Sequence, residues 1–289
     1  MKSVLIGLSL LTSLSAFSAE ITTTIVEVGA VEAGDKEVMV FAQSEGRVLW
    51  VDAKDTALLD ALKIARERNL LVNIDFREFN GHVKGVELLE TAQPEVSTGE
   101  SFEKNTLANF TPSFIESLES SQSVFNRMDG RTKWKSQCYN RAHGWAYDMY
   151  TQSRINSMKV FIFFTQRYIK AEKYKWWFHV APYVMTQMEG ASVETVLDRT
   201  FTRGPLKMKD WTDNFMNRKQ NCPVVTRYSD YRQNQWAQDC YLIKTSMYYR
   251  SPADIERNET EGRHLTAWDL RGVADARKEA FKNWRDYNP

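Results

Sequence analysis

The sequence predicts an α+β fold in two parts: a small strand-rich N-terminal module, followed by a larger domain in which a helix packs on an antiparallel sheet. Residues 20–90 alternate apolar and polar positions in short runs, whereas the chain beyond 111 mixes helical periodicity with strongly apolar strands. With 43% apolar and 26% charged residues, the chain has the composition of a protein that buries a core.

The N-terminal module, residues 20–90, is predicted to contain five strands and one helix. The helix begins at Asp55 or Thr56, either of which can cap it, and ends near Arg68. Turn pairs such as Asn80-Gly81 separate the strands. The strands are predicted at Ile21–Val28, Lys36–Ala42, Arg47–Asp52, Leu70–Phe76 and His82–Leu89.

A polar stretch, residues 91–112, is predicted to be a linker that proteases can reach. The second domain therefore covers 111–289. Its strands are predicted at Lys159–Thr165, Lys175–Met185 and Val193–Phe201, and its helices at 113–126, 137–157, 205–219, 252–259 and 264–287.

The first 19 residues have the layout of a secretory signal peptide. Lys2 precedes an apolar run, Val4–Leu14, and small residues follow up to Ala19. The run is too short to span a bilayer as a helix. We therefore expect a protein exported to the periplasm or the medium, with an inner-membrane anchor as the alternative. The net charge of +1 gives no indication of nucleic-acid binding.

Export affects the interpretation of the three cysteines, because thiols tend to pair in oxidising compartments. Cys222 and Cys240 are predicted to form a disulfide, whose loop closure would contribute about 3 kcal/mol. Cys138 is left as a candidate reactive thiol. The alternative is that Cys138 is a buried, inert thiol.

Cys138 lies at the predicted start of a helix, with Ser136 as its N-cap. In the first turn, unpaired backbone N–H groups and the helix dipole favour a thiolate and can hold an oxyanion. This is the environment that a cysteine nucleophile requires.

A base and its orienting carboxylate are predicted on a hairpin that turns at Glu189-Gly190. His179 and Asp198 have numbers that sum to 377, which centres the hairpin at this turn and brings the two side chains to one face. An aspartate beside an imidazole fixes its tautomer. His143, five positions after Cys138, points elsewhere on the helix and is more readily interpreted as structural. Asp198 could equally be a solvated strand-end residue.

Together the three positions resemble the papain and transglutaminase architectures. Three strings also resemble the bacterial protein-glutaminase family over about 111–289: Cys138-Tyr-Asn-Arg-Ala-His143, Trp177-Phe-His179-Val-Ala and Val196-Leu-Asp198. The resemblance implies Cys138 as nucleophile, His179 as general base and acid, and Asp198 as orienter. It also implies a secreted enzyme with an inhibitory pro-segment, for which 20–90 has a suitable size and place.

The implied activity is deamidation of glutamine side chains in protein substrates through a thioester, with no metal or organic cofactor, by a monomer. Substrate-binding candidates are Gln137, His143, Trp176 and Trp177. The four scattered histidines give no metal-ligand spacing. The alternatives are a cysteine protease, a transglutaminase, a peptidoglycan peptidase, or a non-enzymatic envelope module in which the tryptophans are core.

Overall fold

The computed structural model describes residues 18–89, 111–219 and 221–282. The predicted signal peptide lies outside these residues except for Ser18 and Ala19, as does the predicted linker except for 111 and 112. The chain forms two compact units, one of Met1–Val40 and Leu49–Thr91, the other of Phe41–Val48 and Ala92–Pro289.

The first unit is built on a closed barrel with strand order β1-β2-β3-β5-β4. Its apolar alternation explains the fold, since every second residue of the first strand faces inward: Ala19, Ile21, Thr23 and Ile25 are buried. The helix described in this unit begins as predicted, with Asp55 accepting a hydrogen bond from the backbone of Leu58. The elements are β1 Ser18–Val28, β2 Glu37–Ala42, β3 Val48–Asp52, α1 Thr56–Glu67, β4 Leu71–Arg77 and β5 His82–Leu89.

The second unit contains a mainly antiparallel sheet of order β10-β9-β8-β7-β11, with β6 paired in parallel to β8. Its strands are β6 Phe114–Ile115, β7 Met158–Phe164, β8 Phe178–Met188, β9 Ala191–Val196, β10 Leu206–Lys207 and β11 Cys240–Thr245. Its helices are α2 Leu118–Arg127, α3 Cys138–Ser153, α4 Gln166–Glu172, α5 Met208–Asp213, α6 Tyr228–Gln233, α7 Pro252–Glu261 and α8 Leu270–Ala280.

Helices α2, α3 and α8 share a buried apolar cluster with β8. Trp145 and Met149 of α3 pack there with Val184 of β8, Phe125 of α2 and Phe281 at the end of α8. The cysteine-bearing helix is thus fixed on the sheet, and the predicted α+β fold class is confirmed.

Several predicted boundaries were wrong. The predicted helix 113–126 begins as strand β6, and the predicted helix 205–219 begins as strand β10 and is helical only over the short α5. The predicted helix 264–287 is helical over Leu270–Ala280, with the residues beyond 282 outside the described part. The predicted strand Val193–Phe201 ends at Val196. Helices α4 and α6 and strand β11 had not been predicted.

Pro182 was expected at a strand edge or a bulge, yet it lies in β8, which pairs on both sides. The carbonyl of Pro182 accepts from the backbone of Leu197, just beyond the end of β9. Since the nitrogen and carbonyl of a strand residue face the same side, the missing N–H lies where the ladder with β9 has ended.

Among the described residues, no helix combines the length and apolar character needed to cross a membrane.

Candidate active site

The nucleophile candidate, Cys138, is the first residue of α3 and is buried. The predicted N-cap was wrong by one residue: Gln137 occupies that position, without a side-chain cap. Ser136 instead accepts from Arg141 through both its backbone carbonyl and its Oγ, the latter at 2.9 Å. The thiol nevertheless lies in the first turn, where backbone N–H groups lack helical partners.

The predicted contact between His179 and Asp198 is present. His179 lies on β8, and its Nε2 is 2.7 Å from Asp198 Oδ2. The predicted register was wrong by two, because paired residues such as Tyr183 and Val196 sum to 379. Asp198 therefore reaches the imidazole from the turn after β9 and not from a paired strand position.

The use of Nε2 by Asp198 leaves Nδ1 of His179 for other partners, and Cys138 lies close enough to influence the imidazole. Burial lowers the pKa of His179, but the charge of Asp198 and the hydrogen bonds to Asp198 and Cys138 outweigh it and raise the pKa to about 9. The site therefore favours a protonated imidazole beside the thiol at neutral pH.

Asp198 is almost completely buried and is held by several donors. The indole Nε1 of Trp211 donates to Oδ2 at 3.0 Å, the same oxygen that faces His179. The backbone carbonyl of Asp198 accepts from Thr202. Burial raises the pKa of Asp198, yet His179, the Trp211 hydrogen bond and the Arg141 charge more than offset it, so the pKa is lowered. The carboxylate is therefore ionised where it meets the imidazole.

Aromatic rings enclose His179 and set its orientation. The ring centroid of Phe215 lies 4.5 Å from that of the imidazole, that of Phe201 4.8 Å and that of Trp211 5.8 Å. The sequence did not single out these residues, since they follow Asp198 in a segment with no spacing signal. The rings exclude water from the imidazole, which strengthens its interaction with Asp198.

Arg141 is a further residue of the site to which the sequence analysis gave no role. It is buried, and its guanidinium lies over the ring of Phe201 at 5.7 Å. Burial lowers the pKa of Arg141, while the nearby groups Cys138 and Asp198 raise it. Its spacing of three from Cys138 could have indicated a shared helix face. This cation opposes the negative charges of the site and holds the turn before the nucleophile.

Of the four substrate-binding candidates, Trp176 lies beside the aromatic rings that surround His179. It is half-buried, and its ring meets Phe201 edge-on at 5.7 Å. Gln137 is also partly exposed, and its Oε1 accepts from Asn140, which in turn accepts from Arg250. This chain fixes the Gln137 amide with its NH₂ group turned away from Asn140. Substrate contact by either residue stays a prediction.

The side chain of His143 contacts Lys159 and Trp268, neither of which belongs to the group of Cys138, His179 and Asp198. Its Nδ1 is 2.8 Å from the buried Nζ of Lys159, which also donates to the carbonyl of Tyr249, and its ring contacts Trp268 edge-on. Burial lowers the pKa of His143, as does the charge of Lys159. These are the contacts of a structural histidine, and substrate contact by His143 stays a prediction.

Residues 41–48, called here the β2–β3 segment, pack on the chain that leads into His179. Trp177 is fully buried, stacked on Phe41 at 5.8 Å, with its Nε1 donating to Ala42 O at 2.8 Å. The backbone of Trp177 donates to Gly46 O at 2.8 Å. A Cβ on Gly46, where φ is +60°, would lie 2.9 Å from the Phe178 ring. Trp177 thus contacts this segment and is closed to substrate while the segment is in place.

The predicted disulfide between Cys222 and Cys240 is present and ties the start of β11 to the preceding loop. Cys138 is the free cysteine. The division between a paired and a free thiol is therefore the predicted one.

Comparison with known proteins identifies the segment that carries these residues. Residues 121–215 match a family model named Gln_deamidase_2 and described as glutaminase. Cys138, His179 and Asp198 all lie within the match. The predicted resemblance to the protein-glutaminase family is confirmed for this segment.

The fold is similar to that of two solved structures of pro-protein-glutaminase. One is a crystal structure of pro-protein-glutaminase, with a TM-score of 0.50 and 15% identity, covering 88% of this chain and 90% of that one. The other is a mutant of pro-protein-glutaminase, also with a TM-score of 0.50 and 15% identity, covering 90% and 98%. At this identity the likeness establishes a shared fold. No match was found among curated proteins. The glutaminase match indicates a glutamine-deamidating hydrolase, as predicted.

Proposed function

We propose that this protein converts glutamine side chains of other proteins to glutamate and releases ammonia, with Cys138 as nucleophile. The observation that carries the proposal is the arrangement of a thiol on a helix end, close to an imidazole that is itself 2.7 Å from a buried carboxylate. All three groups lie in the glutaminase-matched segment. This arrangement supports acyl transfer from a carboxamide.

The first half of the proposed reaction forms a thioester. The Cys138 thiolate attacks the carbon of the glutamine carboxamide, and the oxygen becomes an oxyanion that first-turn N–H groups of α3 can bind. His179, protonated at Nδ1, gives this proton to the carboxamide nitrogen, and the C–N bond breaks to release ammonia. Asp198 stabilises the imidazolium before the transfer and fixes the tautomer after it.

The second half restores the enzyme. Neutral His179 removes a proton from water, whose oxygen attacks the thioester carbon. Collapse of this intermediate breaks the C–S bond, returns the Cys138 thiolate beside the imidazolium and leaves glutamate. Each step uses groups of this chain and water alone.

We expect the protein, once activated, to release ammonia from a denatured, glutamine-rich protein without cutting its backbone. Mass spectrometry should show a gain of about 1 Da at each modified glutamine, matched by the ammonia formed. A Cys138→Ala protein prepared in parallel is the control for contaminating activity. New chain termini would support the protease alternative, and lysine–glutamine crosslinks the transglutaminase alternative; either result would refute the deamidation proposal.

We also propose that the protein is exported and acts as a monomer on extracytoplasmic proteins. The layout of residues 1–19 supports export. The disulfide of Cys222 and Cys240 supports it too, since such bonds persist in oxidising compartments.

We further propose that the N-terminal part of the chain keeps the enzyme inactive until the 91–112 stretch is cut. The support comes from the β2–β3 segment, which stacks on Trp177 and hydrogen-bonds to the backbone just before His179. Gly46 permits this close approach, because any side chain there would meet Phe178. The pro-forms among the structural neighbours are consistent with this proposal.

Cleavage within 91–112 should raise the specific activity by about tenfold or more. A segment tethered to its own site competes at an effective concentration on the order of millimolar, and cutting the tether removes this advantage. The measurement is ammonia release before and after limited proteolysis. Gly46→Val should activate the uncut chain in part, whereas Gly34→Val, in open space at a turn with φ of +94°, should not. Equal activity of cut and uncut protein would leave the N-terminal part as an accessory domain.

A further inference from the structure

Trp134 is exposed to an extent that is unusual for tryptophan. Its exposed fraction is 92%, whereas Trp145, Trp177 and Trp211 are fully buried in the same unit. It occupies the second position of a turn in which the backbone of Ser136 donates to the carbonyl of Lys133. A large aromatic ring held in water contributes no packing to the fold. The stability of the fold therefore does not explain why a tryptophan stands at this position.

The turn is fixed where it begins. Thr132 forms a β-bridge with Phe281, and the backbone of Lys133 donates to Ala280 O at 2.9 Å. The backbone of Lys282 donates to Arg131 O at 2.8 Å. Phe281 itself belongs to the buried cluster beneath α3.

The turn is also fixed where it ends, because Arg141 donates to Ser136. The indole of Trp134 is therefore presented from a rigid support, which reduces the entropy lost on binding.

The position of this turn relates it to the nucleophile. Trp134 and Cys138 are four positions apart in the chain, so their Cα atoms are at most about 14 Å apart. That distance is spanned by about four residues of an extended peptide. A polypeptide whose glutamine reaches the thiol thus has neighbouring residues within reach of the indole.

We propose that Trp134 is a docking point for the polypeptide that flanks the reactive glutamine, with an apolar side chain of that polypeptide packed on the indole. Lys135, the next residue of the turn, is exposed and favours an acidic neighbour in the substrate. The partner is an extended or unfolded segment, because such a segment can bring a glutamine to the buried thiol and an apolar side chain to the indole at the same time. This inference rests on the proposed function and names the substrate class of the same site.

The test compares Trp134→Ala with Trp236→Ala, which removes another exposed tryptophan, one covered by Lys170. The full chain, activated by limited proteolysis, is given two substrates: a peptide in which leucine and glutamate flank a single glutamine, and a blocked glutamine–glycine dipeptide too short to reach the turn. Trp134→Ala should raise KM for the peptide by about tenfold, the size expected for an interfacial tryptophan, and leave the dipeptide unchanged.

Equal loss on both substrates, no loss on either, or an equal effect of Trp236→Ala would overturn the inference. A second measurement does not depend on turnover. Binding of the same peptide to the Cys138→Ala protein is measured with and without the Trp134→Ala change. The uncut chain can be used, because Trp134 is exposed in it. Weaker binding with no deamidation by the parent enzyme would refute the proposed function alone, and unchanged binding would refute the docking role.

Discussion

Replacing Cys138 with alanine is expected to lower ammonia release from protein-bound glutamine by about 10⁴-fold or more, because without the thiolate no thioester forms. The fold should persist, since the change removes one sulfur atom at a helix end. Circular dichroism and the melting temperature of the variant, compared with those of the parent, check this point. His179→Ala should be comparably damaging, as the same step then lacks its acid and base.

The thiol can also be tested without a substrate. Alkylation of Cys138 by iodoacetamide should be much faster in the native protein, once activated, than in the denatured protein, because the sulfur lies in the first turn of α3 beside His179. Near-normal turnover by Cys138→Ala would exclude the mechanism. Slow alkylation together with unmodified substrate would return the protein to the class of binding modules.

The sequence predicted the local parts of the site well. A helix start at Cys138 and a hairpin turn at Glu189-Gly190 depend on residues close in the chain. The turn does have positive φ at both residues, 52° and 83°. The nucleophile and the strand of His179 follow from these signals.

The parts that the sequence missed depend on contacts between distant segments. The register prediction assumed that Asp198 lies within a strand, but β9 ends at Val196, and the carboxylate is held by Trp211 from α5. Strand β11 was missed because its six residues carry little pattern until they pair with β7. Tertiary partners, which no local window contains, decided each of these features.

A competing contact nearby in the chain explains why Ser136 failed as an N-cap. Its hydroxyl is an acceptor for Arg141, one turn into the helix, and is not used for capping. A local rule identified a suitable side chain, but a buried guanidinium offered a stronger, charge-assisted partner. The hydrogen bond between Arg141 and Ser136 links the turn that carries Trp134 to the helix that carries Cys138.

Asp198→Asn should separate the charge of Asp198 from its role as a hydrogen-bond acceptor. Two donors, Trp211 Nε1 and His179 Nε2, converge on Oδ2, so the asparagine should keep its oxygen there and preserve the tautomer. The substitution removes only the negative charge at this position. Burial then dominates and lowers the pKa of His179 from about 9.

The expected result is a loss of about 10²-fold at neutral pH, because each unit of pKa corresponds to a factor of ten between protonation states. In the parent enzyme, activity should fall as pH rises through about 9, where His179 loses its proton. In Asp198→Asn this fall in activity, the basic limb of the pH profile, should move to lower pH. The contribution of the raised His179 pKa to the free energy of unfolding is complete below its unfolded value, about 6.5, and is lost as pH rises towards 9.

Asp198→Ala should be worse than Asp198→Asn, by about tenfold or more, since it leaves two buried donors without an acceptor. Asp210 is exposed, so Asp210→Asn is the matched control for loss of a carboxylate in the same region. It should leave the fall in activity at high pH unchanged. The measurement is kcat/KM for ammonia release between pH 5 and 10. If Asp198→Asn lowers the rate while its basic limb stays near 9, the charge of Asp198 does not maintain the imidazolium, and its role is to orient the ring.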